Sequence, residues 1–276
     1  MPRTSLTIER PTSLTELDSF LRRVPGAGLT AGCKPSVVYR GQSRDWLLNS
    51  SLLRLGGNCG DLEKRIASQL RSLGLLEHAP LHGDSDFTMW PHAQHYGCPT
   101  RLLDWSAQSD VAKHFCCESA EHSDQDGVIW VVNPMLIHQK TLPVGVRQSL
   151  SPADPDQVRV PNADTVDREV KSFSKLDLLS NAPTNIPCLF FEPHSIEASR
   201  RPFQQQSVLS LVAGANESFE ALIDLVPDAF LKVLVSPALK VEMREELDNQ
   251  RKTEHYYYPD LAGFGSMTRR RKRPDF

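Results

Sequence analysis

The chain predicts an α+β fold, a single domain in which a mixed β-sheet is flanked by helices. Three observations carry this expectation. Helical periodicity dominates the first half, as in Asp61 to Leu76, where Leu62, Ile66, Leu70 and Leu73 share one face. The continuous apolar run Gly127 to Asn133, GVIWVVN, has the composition of a central strand buried on both faces. Strand-like runs then gather in the last third, and no internal repeat or linker divides the chain.

The elements follow from local signals. Ser13-Leu14-Thr15-Glu16 has the form of a capping box, and Leu14, Leu17, Phe20, Leu21 and Val24 recur at helical spacing, so a helix is expected over 13–24. Glycines and a proline between Pro25 and Cys33 end it. The β-branched run from Ser36 to Tyr39 then reads as a strand with Arg40-Gly41 at its end. Asp86 to Tyr96 is a shorter helix stopped by Gly97. Thr100 to Trp105 is a strand, and Ser106 is placed to N-cap a helix carrying Ala107, Val111, Ala112 and Phe115.

From Leu142 to Asn162 no period is visible, which suggests a long loop that covers a site or stays disordered. A helix is expected over 167–180, and strands over 187–191, 207–212 and 230–235. Ser236-Pro237 offers an N-cap and a first-turn proline to a helix reaching about Gln250, followed by loop from Tyr256. The domain is thus an N-terminal helix over 13–24, a core over about 36–262 and a basic tail over 263–276.

Composition narrows the function classes. With 276 residues, 39% of them apolar, the chain can bury a sizeable core. Lysine and arginine number 31 against 34 acidic residues, so there is no global attraction to nucleic acid or anionic membrane. The local exception is the tail Arg269-Arg270-Arg271-Lys272-Arg273, either a solvated terminus or a weak nucleic-acid contact. No apolar run approaches the roughly 18 residues that span a bilayer, and Met1-Pro2-Arg3 leads into polar sequence, so a cytoplasmic protein without membrane contact is expected. The six cysteines, at 33, 59, 98, 116, 117 and 188, form no CxxC pair and read as buried thiols, not metal ligands; of Cys116 and Cys117 at most one faces a core.

Common catalytic signatures are absent: the chain has no GxSxG, GxxxxGK[ST], HExxH or GxGxxG. What stands out is a set of polar residues where strands end, the place at which mixed folds bind ligands. Arg40 is followed by a glycine that leaves room for an anion beside its two parallel donors; the alternative is a structural ion pair, for instance to Asp104. His95, beside Tyr96 at a helix end, is either a capping residue or a proton shuttle, since an imidazole titrates near about 6.5. Thr100, Arg101 and Asp104 interrupt an apolar stretch and need partners; for Asp104 those are Arg40, Arg101 or the amides of the next helix.

Together, Tyr39-Arg40-Gly41, Gln42, Trp46, the Ser51 to Arg54 segment SLLR, Trp90 and the block Gln94 to Ser106, QHYGCPTRLLDWS, resemble the FRG domain, which is named for a Phe or Tyr followed by Arg-Gly. The likeness extends to Val111, Ala112 and Phe115, to Arg201 and Gln205, and to Tyr258-Pro259-Asp260-Leu261. It departs at Gln205-Gln206-Ser207-Val208-Leu209, where the family tends to have Gln-x-Gly-x-Phe, and at Ser106, which stands for threonine. The FRG order of elements in turn looks like the ADP-ribosyltransferase fold, which implies a split sheet and NAD as the cofactor consumed, with no metal.

In that comparison Arg40, His95, Asp104, Glu192 and Gln205 are the catalytic candidates. Tyr39, Arg40, Gly41, Gln94, His95, Tyr96, Thr100, Arg101, Asp104, Trp105 and Ser106 would bind the cofactor. Such transferases use a late-strand glutamate against the ribose. Here Gln205 matches that strand; a glutamine binds a hydroxyl but supplies no negative charge, which leaves Glu192, Glu197 or Asp104 to do so. The resemblance implies an ADP-ribosyltransferase or NAD glycohydrolase, acting on a protein or nucleic-acid acceptor as a toxin or antiphage effector. A non-catalytic nucleotide- or nucleic-acid-binding module and a nuclease using His95 and Asp104 are the rival readings.

Overall fold

Ser13 opens the first helix as its sequence requires: its Oγ accepts from the Glu16 amide. The Glu16 carboxylate turns outward by one residue to hold the Thr12 amide and hydroxyl, at 2.8 and 2.9 Å. The computed structural model describes residues 5–29, 37–72, 85–150, 160–181, 184–194 and 205–258. In chain order the elements are β1 (Thr7–Glu9), α1 (Leu14–Leu21), β2 (Val38–Gln42), α2 (Ser51–Arg54), α3 (Cys59–Ser72), α4 (Asp86–His95), β3 (Leu102–Ser106), α5 (Ser109–Cys117) and β4 (Gly127–Val132). There follow α6 (Pro134–Thr141), α7 (Val144–Leu150), α8 (Ala163–Glu169), α9 (Phe173–Asp177), β5 (Cys188–Phe191), β6 (Ser207–Val212), α10 (Phe219–Leu225), β7 (Phe230–Val235), α11 (Pro237–Asn249) and α12 (Glu254–Tyr257).

The strands form one mixed seven-stranded sheet in the order β1-β7-β4-β2-β3-β6-β5, giving a single α+β domain. Only β1 and β7 pair in parallel among these neighbours. As its apolar run predicts, β4 is interior and buried along its whole length. One sheet face, with Val38, Trp105, Trp130, Phe190 and Phe230, packs on α6 and α10. The other carries two clusters. Ile129, Val131 and Val233 lie beneath α1, α5 and α11, while Leu102, Leu209, Leu211 and Phe191 lie beneath α4, α8 and α9.

Between these two clusters the sheet is nearly severed. β2 pairs with β4 over five residues but with β3 at one, Tyr39 opposite Ser106, whereas β3 pairs with β6 over five. α5 lies along β2 on the cleft side of this seam, held by Gly41: a Cβ there would stand 1.9 Å from the Ala112 carbonyl oxygen and 2.8 Å from the Cys116 amide nitrogen.

Several expectations change. Arg40 and Gly41 are not at a strand end but within β2, opposite Trp130 and Ile129, because β4 pairs with the strand through Gln42. Ser106 does not N-cap the next helix; it ends β3, and its Oγ accepts from the Gln108 amide one turn before α5 begins. The first helix stops at Leu21, where Arg22 caps it ahead of the turn at Pro25. Within 142–162 the chain forms α7 and buries Leu142 and Leu150; exposed Val144 weakens the period there, and 151–159 lie outside the described residues. The helix expected over 167–180 is two, because Asn162 and Ser172 each cap a start and Lys171 adopts φ +72° between them. A short helix, α12, replaces the loop expected from Tyr256, whereas Leu73 to Leu76 and the basic tail lie outside the described residues.

Cys59, Cys116 and Cys188 are buried, Cys98 and Cys117 half-buried, and all five are free thiols. Among the described residues no helix is long and apolar enough to cross a membrane.

Two measurements test this framework. Gly41→Ala must push α5 off the sheet through backbone contacts that cannot rotate away, so urea unfolding should show a loss of about 3 kcal/mol. His138 is buried and accepts the Phe190 amide on Nε2, and burial depresses its pKa from 6.5 to about 4. A base with a depressed folded pKa contributes stability above its unfolded pKa and loses it as pH falls. Stability should therefore drop by up to about 3 kcal/mol between pH 6.5 and 4, a slope that His138→Gln removes.

Candidate active site

The seam between β2 and β3 opens into a cleft of about 350 Å³. α4 and α5 stand on either side, and the residues after β5 and before β6 close one end. Arg40, His95, Asp104 and Gln205, far apart in sequence, all line it.

Arg40 spans the gap. Its Nη1 donates to the Asp104 carbonyl oxygen at 2.6 Å, bridging the strands where their ladder has stopped. Its Nε is sealed from water and has no hydrogen-bond partner among the described residues. Burial lowers its pKa; the Asp104 carboxylate opposes that shift and neighbouring Arg54 adds to it. The expected ion pair is thus replaced by one backbone bond, and the guanidinium keeps donor capacity facing the cleft.

Asp104 is exposed in the middle of a strand whose other residues are buried. Its Oδ1 accepts from Gln94 Nε2 at 2.7 Å. Gln94 Oε1 in turn accepts from the Thr100 hydroxyl, and Thr100 is fully buried. Thr100 is tied to the start of α2: its amide donates to Ser51 Oγ, and its carbonyl accepts from Ser51 Oγ and the Leu52 amide. Gln94 and Thr100 therefore position Asp104, and of these two only Gln94 reaches the cleft.

Other expected ligands have structural work instead. Arg101 is away from the cleft, buried between Glu63 at 2.9 Å and Asp177 at 2.7 and 3.1 Å. Burial opposes its charge, but the two carboxylates outweigh that and leave its pKa raised. Trp105 borders the cleft, yet its indole donates to Ser210 Oγ at 2.7 Å and its ring packs on Phe190 and Phe219. Tyr96 points to solvent, 71% exposed against His92 and His95, and does not line the cleft. The Tyr39 hydroxyl is spent on the Leu21 carbonyl, and the space beside Gly41 is filled by α5 backbone, not left for an anion.

On the far wall, Ser106 Oγ donates to the Gln205 carbonyl at 2.6 Å, and Gln205 Nε2 donates to the Tyr257 carbonyl at 3.1 Å. Glu192 does not line the cleft: its backbone joins Pro161 and Ala163 at the end of β5. His194, two residues on, does line it, as do Pro91, Pro193 and the aromatic pair Phe115 and Tyr258, whose rings meet edge to face at 6.1 Å. Sequence reasoning missed His194 and both prolines. The only signal was an apolar strand ending in Glu-Pro-His, which does not say which side chain turns inward. Glu197 and Arg201 lie outside the described residues. Among the described residues no group of three or more His, Cys, Asp or Glu side chains is placed to hold a metal.

Residues 35–125 match the FRG domain. That stretch includes β2, α4, β3 and α5, hence Arg40, Gln94, His95, Asp104 and Phe115, one wall of the cleft. Pro193, His194, Gln205, Ser207, Leu209 and Tyr258, from the other wall, lie beyond the FRG match. No curated protein and no solved structure matches the chain.

The two arginines of the FRG stretch should respond oppositely to removal. Arg101→Met strands two carboxylates and should cost about 3–5 kcal/mol of stability. Arg40→Met loses one hydrogen bond but also a poorly paired, half-buried cation, so urea midpoints should place it within about 1 kcal/mol of wild type.

Proposed function

We propose that the cleft binds NAD and that the protein breaks its glycosidic bond, passing ADP-ribose to a macromolecular acceptor or to water. The observation that carries this reading is Arg40, a half-buried guanidinium on the cleft wall with one backbone carbonyl as its hydrogen-bond partner and no carboxylate bonded to it. A cation left short of partners at the floor of a cleft suits a ligand phosphate, which accepts the remaining donors. Phe115 and Tyr258 supply flat apolar walls for an aromatic ring. The volume suits the nicotinamide and ribose half of the dinucleotide, with the adenine half outside.

In such a reaction the bond from ribose C1′ to the nicotinamide nitrogen breaks, and its electron pair leaves with nicotinamide. The acceptor or water oxygen bonds to C1′ and gives up a proton, which His95 or His194, both on the cleft wall, is placed to take. Gln205 offers its amide oxygen to a ribose hydroxyl while its nitrogen is held by Tyr257. The FRG stretch and its likeness to the ADP-ribosyltransferase order of elements support the same assignment by analogy.

A non-catalytic binding module is the second reading, favoured by one observation: the cleft residue matched to the late-strand glutamate is Gln205, which lies two residues before β6 and not on the strand. Incubation with NAD labelled in the ADP-ribose part, with and without candidate protein, DNA or RNA acceptors, separates the two. Nicotinamide release or label transfer that Arg40→Ala reduces by at least about 100-fold supports the enzyme. Saturable NAD binding without product supports the module, and the absence of both binding and turnover removes NAD from consideration. As a toxin or antiphage effector, the wild type but not Arg40→Ala should arrest growth when expressed.

A further inference from the structure

We infer that Asp104, oriented by Gln94 and Thr100, is the receptor for the positive charge of the oxidised nicotinamide ring, so that the site prefers NAD to NADH. This rests on NAD being the ligand of the cleft. Asp104 is the only carboxylate among the described lining residues, and Arg40 is the only lysine or arginine. A cleft with one fixed charge of each sign suits a ligand that carries both. Oxidised nicotinamide nucleotides pair a cationic pyridinium with an anionic phosphate, and reduction removes the cation while leaving the phosphate.

The hydrogen-bond chain holds the carboxylate in one orientation. The Thr100 Oγ1 accepts the Leu102 amide at 3.2 Å and donates its own proton to Gln94 Oε1. With Oε1 taken by Thr100, Gln94 turns Nε2 toward Asp104, where it donates to Oδ1; Oδ2, on the exposed side of the strand, has no hydrogen-bond partner among the described residues. The chain is anchored through Ser51 and Leu52 to α2, so Gln94 cannot turn away from the carboxylate without disturbing a fully buried threonine. A carboxylate serving only solubility needs no such support.

One carboxylate also suffices for the whole reaction. When the C1′ to nitrogen bond breaks, nicotinamide keeps the electron pair and becomes neutral, and the positive charge passes to ribose C1′ and its ring oxygen. The charge moves by a bond length or two without changing sign, so Asp104 faces a cation before and during the step. This places at Asp104 the negative charge that Gln205 cannot supply.

Calorimetric titration of wild type, Asp104→Asn and Gln94→Glu with NAD and with NADH tests the inference. Wild type should prefer NAD by about tenfold, the effect expected of one partly solvated unit charge nearby. Asp104→Asn keeps size and should bring the two affinities within about twofold by weakening NAD alone. Gln94→Glu keeps the acceptor for Thr100 but sets a second carboxylate against Asp104, so the preference should climb as pH rises through the carboxylate range; a merely structural Gln94 would alter thermal stability and leave the ratio flat. Equal affinities in wild type, or an undiminished preference in Asp104→Asn, overturns the role of Asp104 while leaving NAD as the ligand. Binding of neither nucleotide to wild type overturns both readings. Should Asp104→Asn fail to fold, the Gln94→Glu ratio decides: no dependence on pH overturns the inference.

Discussion

Where β2 meets β3, the two halves of the sheet are linked edge to edge by a single residue pair and one guanidinium. An antiparallel ladder normally satisfies backbone groups along its length. Here it stops after Tyr39 and Ser106, and Arg40 reaches the Asp104 carbonyl across the gap. The opening that results is the cleft. Its depth depends on Gly41, which lets α5 lie against β2, and its floor depends on Arg40 remaining where backbone pairing has ended.

The FRG stretch contains two arginines that look alike in sequence and differ in consequence. Arg101 is saturated by two carboxylates, and it fastens α3 and α9 to the start of β3. Arg40 is the reverse, a half-buried cation given one carbonyl and left with an unpartnered Nε. Spending a fully paired arginine on architecture and holding another short of partners is the pattern expected when binding energy is reserved for a ligand. Gln94 and Thr100 show the same division on the acidic side, because both are consumed in orienting Asp104.

The match to the FRG domain ends at residue 125, but the cleft does not. Its second wall comes from the end of β5, the start of β6 and the residue after α12. The linkage is physical: Ser106 of the FRG stretch bonds the Gln205 carbonyl, and Gln205 bonds the Tyr257 carbonyl. The FRG segment supplies both fixed charges, while the rest of the chain supplies His194, Gln205 and Tyr258 to shape what those charges meet. The shape of the cleft around the two charges is therefore set largely by the part of the chain that the family match does not cover.

By itself the sequence determined what short-range chemistry decides. Ser13, Ser236 and Gly97 mark helix ends because capping and left-handed φ are local. GVIWVVN is an interior strand because a short, Val- and Ile-rich run without polar alternation suits a strand covered on both faces. It also singled out Arg40, His95, Asp104 and Gln205, which proved to share one cleft. It could not say that Arg40 lies mid-strand, that Gly41 admits a helix instead of an anion, or that Arg101 is spent elsewhere. It chose Glu192 where His194 faces the cleft. Each of these was decided by pairing register and by the approach of α5 to β2, contacts between residues tens of positions apart, which no local preference encodes.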